Sequence, residues 1–361
     1  MFLTVNNLHE YLIAAELITA ASVVDGDYRV AETGRRNRNF KVLRSGSNGL
    51  FVKQMKSTEQ QATYTIQREA AFYAALDSNP RYAALKRLVP RLVSHDPQRN
   101  VLVLENIPQA ESLIERQTRL QAYPPDLAAS LGKIIGEIHN TCQEMLADPT
   151  LNSSLDGTPP WPLNLDSMSG EISRGYGPGG GALMSIVQQQ PMLIPLLSSL
   201  RPEWQRNCIM HGDLKFDNCI VYSNADGASE IRVVDWELAA AGDAAWDVAT
   251  IFKDYLVACI SSTVMAIHQP GARVWAITEL QPSIGAFWHA YRIARGFDAN
   301  AAAIFLFRTV RLTAARLLTS MLEHLTASPA ATQAPTMMAQ SAAGILMAPH
   351  VAVMQLIGAP A

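Results

Sequence analysis

Cysteine is scarce in this chain: four residues, Cys142, Cys208, Cys219 and Cys259, stand far apart and form no CxxC pair. That spacing excludes a disulfide-stapled scaffold and a compact zinc site, and it fits reduced thiols in a cytoplasmic setting. Charge is sparse too. Charged residues make up 17% of the chain, with 29 Lys and Arg against 32 Asp and Glu. The resulting formal charge of -3 offers no polycationic surface, so nucleic acid is not an expected partner. The opening MFLTVNNLHEYL has neither the basic start nor the unbroken apolar core of a signal peptide. Long uncharged apolar runs are missing except in the alanine-rich tail beyond residue 325, which prolines interrupt, so no membrane span is expected. Histidines form neither HxH nor HExxH and there is no GxSxG elbow, which removes the sequence support for a catalytic zinc or a serine hydrolase.

What is present is chain enough for one large domain or two modest ones, 361 residues with 48% hydrophobic content. The apolar spacing of Leu8, Leu12, Ala15 and Ile18 predicts an opening helix. FKVLR and LFVKQM flank an SGSNG turn and read as a β-hairpin, residues 62–76 as a helix, and VLVLENI at 101–107 as a strand. From Asp126, Leu127, Leu131, Ile134 and Ile138 line one face of a further helix. Residues 145–185, with PP and GYGPGGG, read as a long connection rather than core. NCIMHGD, NCIVY and IRVVDWE then read as short strands, and helical periodicity resumes near Trp246. The expected class is α+β, with a small β-containing lobe over 1–107 and a larger, mainly helical lobe over 108–361.

The densest polar signal is HGDLKFDN, His211 to Asn218, with Asp235 in VVDWE 22 residues beyond Asp213. Asp and Asn alone favour turns. Together, two carboxylates and an amide suit phosphoryl transfer: one carboxylate positions an acceptor hydroxyl, while the amide oxygen and second carboxylate hold magnesium against phosphates. Upstream, Lys53 closes a strand-like segment and Glu69 shares a helix side with Phe72, Tyr73 and Leu76. A carboxylate on an apolar side is costly unless paired, so a Lys53–Glu69 ion pair would satisfy both groups; from these residues alone the other reading is two solvated surface charges.

These motifs closely resemble those of the aminoglycoside phosphotransferase and choline kinase group, which has a bilobal protein-kinase-like fold with ATP held between its lobes. The resemblance extends over most of residues 25–325 and is concentrated at 211–247. It implies Asp213 as the catalytic, acceptor-positioning group, Asn218 and Asp235 as Mg²⁺ ligands, and Lys53, aimed by Glu69, at the ATP phosphates. Asp247 resembles the aspartate that supports the catalytic loop, and Glu105, Asn106 and Ile107 the hinge whose backbone meets adenine. The stretch TGRRNRNFKV stands where the fold places its phosphate-covering loop, but it is not GxGxxG. Its Arg35, Arg36 and Arg38 are candidate phosphate contacts. His211 is expected to brace the loop, His139 to be structural, and Asp243 to cap the following helix.

The acceptor is left open between the hydroxyl of a small metabolite, a Ser or Thr of a peptide, and an aminoglycoside. Residues 251–361 carry four acids against one lysine and six arginines, which weighs against a polycationic acceptor. Arg292, Arg295, Arg308 and Arg311 repeat at three residues and are either solvated faces or a basic stripe for an acidic ligand. The Met-rich tail, with Met321, Met337, Met338, Met347 and Met354, is either core or a surface for a protein partner. A nucleotide-binding scaffold without turnover is the competing class.

Overall fold

The structure is a computed structural model that describes residues 2–33, 38–44, 49–55, 60–148, 155–224 and 226–358. The chain forms two compact units, one of Met1–Arg116 with Asp217–Ala239, the other of Gln117–Phe216 with Ala240–Ala361. The sequence suggests a single division after residue 107, whereas the units are interleaved. The reason lies in the hydrogen bonds and ring contacts of residues 217–239: Val233 N–H donates to Leu88 O (2.8 Å), and Trp236 stacks on Phe72 with ring centroids 4.0 Å apart.

The first unit opens with helices α1 (Leu8–Ala14) and α2 (Ala20–Val24). Its five-stranded antiparallel sheet is built from β1 (Arg29–Glu32), β2 (Arg38–Leu43), β3 (Gly49–Gln54), β4 (Leu92–Asp96) and β5 (Val101–Asn106) in the order β1-β2-β3-β5-β4. The hairpin expected from FKVLR and LFVKQM is β2–β3; its tip at 45–48 lies outside the described residues. Strand alternation sorts the side chains. Phe40, Val42, Leu50, Val52, Val101 and Val103 join Leu3, Leu8, Leu12 and Ile18 in one core. Lys53, one residue on from Val52, therefore points to the opposite face, opposite Leu102. Helix α3 (Gln60–Ser78) supplies Glu69 and Phe72, and a short helix α4 (Ala83–Lys86) follows. A three-stranded sheet, β6 (Glu111–Ser112), β8 (Cys219–Ser223) and β9 (Ser229–Val233), completes this unit. Helix α5 (Leu113–Leu120) carries the chain out of it.

The second unit is mainly helical. Its elements are α6 (Pro125–Leu146), α7 (Leu165–Gly175), α8 (Gly177–Gln188), α9 (Leu193–Ser198), α10 (Ala244–His268), α11 (Ile277–Ala294), α12 (Ala299–Ala327), α13 (Gln333–Met347) and α14 (Pro349–Ile357). A two-stranded antiparallel pair joins β7 (Cys208–Met210) to β10 (Ala240–Gly242). Helices α6 and α11 approach closely because Gly132 and Gly136 lack side chains: a Cβ on Gly132 would lie 2.1 Å from Phe287 O. Helix α10 is long and apolar enough to cross a bilayer, and here its residues 244–253 are all buried within the unit.

One expectation is corrected, and one left open is decided in part. Residues 145–185 are not a loop throughout: α6 runs to Leu146, a 3₁₀ turn spans Trp161–Asn164, and α7 and α8 fill most of the rest. Two of the glycines that read as loop, Gly179 and Gly180, are packing contacts. A Cβ on Gly180 would sit 2.2 Å from Ile172 O, and one on Gly179 would sit 2.9 Å from Leu325 O, so backbone approach overrides low helix propensity. The tail is likewise folded. Met321, Met338, Ala339 and Ala342 are fully buried in α12 and α13 and belong to the core, whereas Met347 and Met354 are exposed.

Candidate active site

In the first unit the Lys53 ammonium sits between two carboxylates. Its Nζ lies 2.9 and 2.7 Å from the Glu69 oxygens and 2.5 Å from Asp235 Oδ1. Lys53 and Glu69 are 4% and 0% exposed, whereas the Asp235 side chain retains 35% exposure. Burial works against the charge on Lys53, but Glu69 and Asp235 outweigh it and raise the ammonium's pKa. Burial pushes Glu69 upward while Lys53 pulls it back. Asp235 ends β9 in left-handed backbone, φ 73°, a conformation that Asp tolerates better than most residues and that recurs where function fixes a side chain.

Val234 N–H donates to Asn218 O (2.9 Å), so Asn218 and Asp235 are anchored through neighbouring backbone positions in the same unit. Single oxygens of Glu69, Asp235 and Glu237 also lie within 4.8 Å of one another. Carboxylate oxygens are the hard donors that Mg²⁺ prefers, and this cluster of three fits that ion.

In the second unit the HGD segment is held by α10. Asp247, fully buried, accepts from His211 N–H (2.7 Å) and Gly212 N–H (3.0 Å), and its Oδ2 is 3.2 Å from His139 Nε2. His139 Nδ1 meets Tyr291 Oη at 2.9 Å. Gly212 takes φ 84°, which a side chain would oppose, and Asp213 N–H donates back to His211 Nδ1 (3.2 Å). Asp243 caps α10 by accepting from Ala245 N–H (3.0 Å). The Asp213 carboxylate is flanked by Lys215 Nζ (2.7 Å) and Arg316 Nη2 (3.2 Å). Burial would raise its pKa, but Arg316 and then Lys215 overcome that and hold it well below the ordinary carboxylate range.

Asp213 thus belongs to the second unit, while Lys53, Glu69, Asn218 and Asp235 belong to the first, the chain passing from one to the other after Phe216. Arg35 and Arg36 lie outside the described residues. Arg38 Nη1 donates to Leu3 O (2.9 Å), holding the N-terminal segment. Glu105 pairs with Arg232 and its N–H donates to Arg91 O (2.9 Å); Asn106 closes β5 opposite Gly49, and Ile107 follows it. The basic stripe is largely consumed internally: Arg308 pairs with Asp243 and Arg311 with Glu203, and Arg295 bonds Asn140.

Arg316 and Lys215 were not nominated from the sequence. Arg316 is 103 positions from Asp213, beyond any motif, yet one signal existed. Thr309, Thr313, Arg316 and Ser320 form a polar row at helical spacing inside α12, and all four are buried.

The family described as the phosphotransferase enzyme family matches residues 27–276. Solved structures share the fold at low identity. A glucosamine kinase in complex with glucosamine, ADP and inorganic phosphate gives TM-score 0.57 at 15% identity, covering 97% of this chain and 88% of its own. The GDP complex of aminoglycoside 2'-phosphotransferase-IIIa gives 0.56 at 15% identity, covering 94% and 99%. Choline kinase LicA from Streptococcus pneumoniae gives 0.50 at 16% identity, covering 94% and 99%. No curated protein matches the sequence. The fold is accordingly α+β and protein-kinase-like.

Proposed function

The chain belongs to the phosphotransferase enzyme family, and from that premise we propose that it is an ATP- and Mg²⁺-dependent kinase that phosphorylates an alcohol hydroxyl of a small metabolite. The observation that carries this reading is the Lys53 ammonium suspended between Glu69 and Asp235. A scaffold without turnover has no need to bury a lysine against two acids, since apolar side chains of similar volume fold as well or better. Choline, glucosamine and aminoglycoside kinases among the similar structures support a small-molecule acceptor over a peptide.

In this mechanism Lys53, steered by Glu69, engages phosphate oxygens of ATP. Asn218 and Asp235 hold Mg²⁺, which when bound supplies electrostatic stabilisation of phosphate charge. Asp213 accepts a hydrogen bond from the acceptor hydroxyl and aligns its oxygen with the γ-phosphorus. As the new O–P bond forms, the bond from γ-phosphorus to the bridging oxygen breaks, ADP leaves and the hydroxyl proton passes to the Asp213 carboxylate. A carboxylate with a depressed pKa is a weak base, so that proton moves late and the chief service of Asp213 is alignment.

Phosphorus-31 NMR of the protein with Mg·ATP and pooled sugars, amino sugars, amino alcohols and Ser/Thr peptides tests this reading. A phosphoester signal that disappears in Asp213→Ala supports it, and deconvolution of the pool separates metabolite from peptide. Absence of any phosphoester together with absence of Mg·ATP binding overturns it.

A further inference from the structure

The first unit holds two sheets, and the groups proposed to meet the nucleotide are divided between them. The five-stranded sheet carries Lys53 in β3 and residues 105–107 at the end of β5; the three-stranded sheet is flanked by Asn218, just before β8, and by Asp235, just after β9. The Lys53–Asp235 contact crosses from one sheet to the other. On the kinase reading that contact opens when nucleotide binds, because Lys53 turns to phosphate and Asp235 to metal. A second ion pair makes the same crossing: Arg232 of β9 holds the Glu105 carboxylate of β5 through Nη1.

Arg232 is itself aimed. Along β9, Ile231 and Val233 are buried, while Glu230 and Arg232 alternate to the opposite face. Arg232 Nε donates to Tyr222 Oη (3.1 Å), the Tyr222 hydroxyl donates to Glu230, and Glu230 also accepts from Asn224 Nδ2 (2.9 Å). An ion pair near the surface is worth little when two long side chains must be ordered to make it. Here the Tyr222–Glu230–Asn224 chain supplies that order, and the fork of the guanidinium bonds Tyr222 and Glu105 at once. Glu105 is fixed from two further sides. Its N–H donates to Arg91 O (2.9 Å), and it stands opposite Leu50 in β3, the strand that carries Lys53.

We propose that Arg232 is a positioning residue for the nucleotide base: by gripping Glu105 it keeps the backbone of residues 105–107 in register with the strand that leads to Asp235. This rests on the kinase reading, with residues 105–107 as the segment that meets the base. Arg232 acts through Glu105 rather than on the nucleotide, and its grip persists when the Lys53–Asp235 contact opens.

Ligands that use different parts of the site separate this role from general support of the unit. Adenosine, Mg·tripolyphosphate and Mg·ATP are titrated calorimetrically into the intact protein and its variants. Arg232→Gln is expected to weaken adenosine and Mg·ATP by about fivefold, the scale of one hydrogen bond, with Mg·tripolyphosphate changed by less than about twofold. Arg232→Lys, which keeps the charge but lacks the fork, is expected to recover part of that loss. Glu105→Ala is expected to reproduce it, and the double variant to add little to either single change. If Arg232→Gln does not fold, Glu105→Ala carries the comparison. Equal losses for adenosine and Mg·tripolyphosphate overturn the proposal, because they assign Arg232 to support of the whole unit. Unchanged adenosine affinity overturns it as well. A selective loss of adenosine in a protein that transfers phosphate to no acceptor supports the Arg232 assignment and sinks the kinase reading. A parent protein that binds neither adenosine nor Mg·ATP overturns both.

Discussion

Lys53 and Glu69 form a buried pair whose worth can be split between stability and function by a double-mutant cycle. Lys53→Met leaves Glu69, at 0% exposure, with one carboxylate oxygen within 4.8 Å of Asp235 and no ammonium to separate them. Glu69 must then take up a proton on folding, and protonating at pH 7 a carboxyl whose ordinary pKa is 4.5 costs about 3.5 kcal/mol. Glu69→Leu is milder, roughly 2 kcal/mol, because Lys53 keeps Asp235 at 2.5 Å. The double variant removes both buried charges, leaves the half-exposed Asp235 hydrated, and is expected within about 1 kcal/mol of the parent. The coupling is then at least about 4.5 kcal/mol, well above the additivity error of distant sites. Trp236, stacked on Phe72, is the one tryptophan of the first unit among the six in the chain. Urea unfolding followed by fluorine NMR of 5-fluorotryptophan protein, without magnesium or nucleotide, therefore reads that unit separately. A double variant whose cost equals the sum of the singles would refute the argument that each charge is there to compensate the other. The double variant is also expected to fold and yet transfer no phosphoryl group.

Asp213→Asn is expected to lower turnover by roughly 10²- to 10⁴-fold while Mg·ATP affinity stays within about twofold, as judged by initial rates and calorimetry. Asp235→Asn should instead weaken metal-dependent nucleotide binding in the same calorimetric titration; an unchanged affinity removes Asp235 from the metal site. Burial lowers the His139 pKa, so in acid the unfolded chain binds this proton first, and stability falls as pH drops below about 6.5 by up to about 1.4 kcal/mol per unit. Urea midpoints at pH 7.5 and 5.5 should differ less in His139→Gln than in the parent, and equal differences contradict the assignment. Gly132→Ala is expected to cost about 2 kcal/mol or more because its Cβ would meet Phe287 O at 2.1 Å. Gly181→Ala, a helical glycine whose Cβ meets nothing within 4 Å, should add about 0.5–1 kcal/mol, both changes being read from thermal midpoints.

Legibility followed the range over which each constraint acts. Alternation along FKVLR and LFVKQM is local, so the hairpin could be read from neighbours two residues apart. Glu69 was legible only in part: a carboxylate among Phe72, Tyr73 and Leu76 is costly without a cation, but solvated charges fit the same stretch, and the HGD and VVDWE motifs decided between them. Gly179 and Gly180 were misread because a glycine that admits another helix looks the same, in sequence, as one that breaks a helix. The Met-rich tail was ambiguous for a similar reason: Met338 is fully buried and Met347 is 62% exposed, and the pattern of small residues around them does not distinguish the two. Arg316 was hidden by distance, since its partner lies on a segment 103 residues earlier.

The same contrast explains how a five-residue separation can join two independent supports. Asp213 and Asn218 are neighbours in HGDLKFDN, but α10 and α12 fix Asp213 through Asp247 and Arg316, whereas β9 fixes Asn218 through Val234. Phe216, fully buried, with its N–H held by Asp254 at 2.7 Å, pins the segment just before it passes into the other unit. The short spacing ties a carboxylate and an amide to separate supports within a fixed length of chain; on the proposed reading these are the acceptor-positioning and metal-binding groups. Perturbing one support should leave the other intact. On the proposed reading, loss of the Asp247 grip is expected to impair acceptor alignment at preserved nucleotide affinity, and loss of the Lys53–Glu69–Asp235 cluster to impair nucleotide binding with the HGD segment still in place.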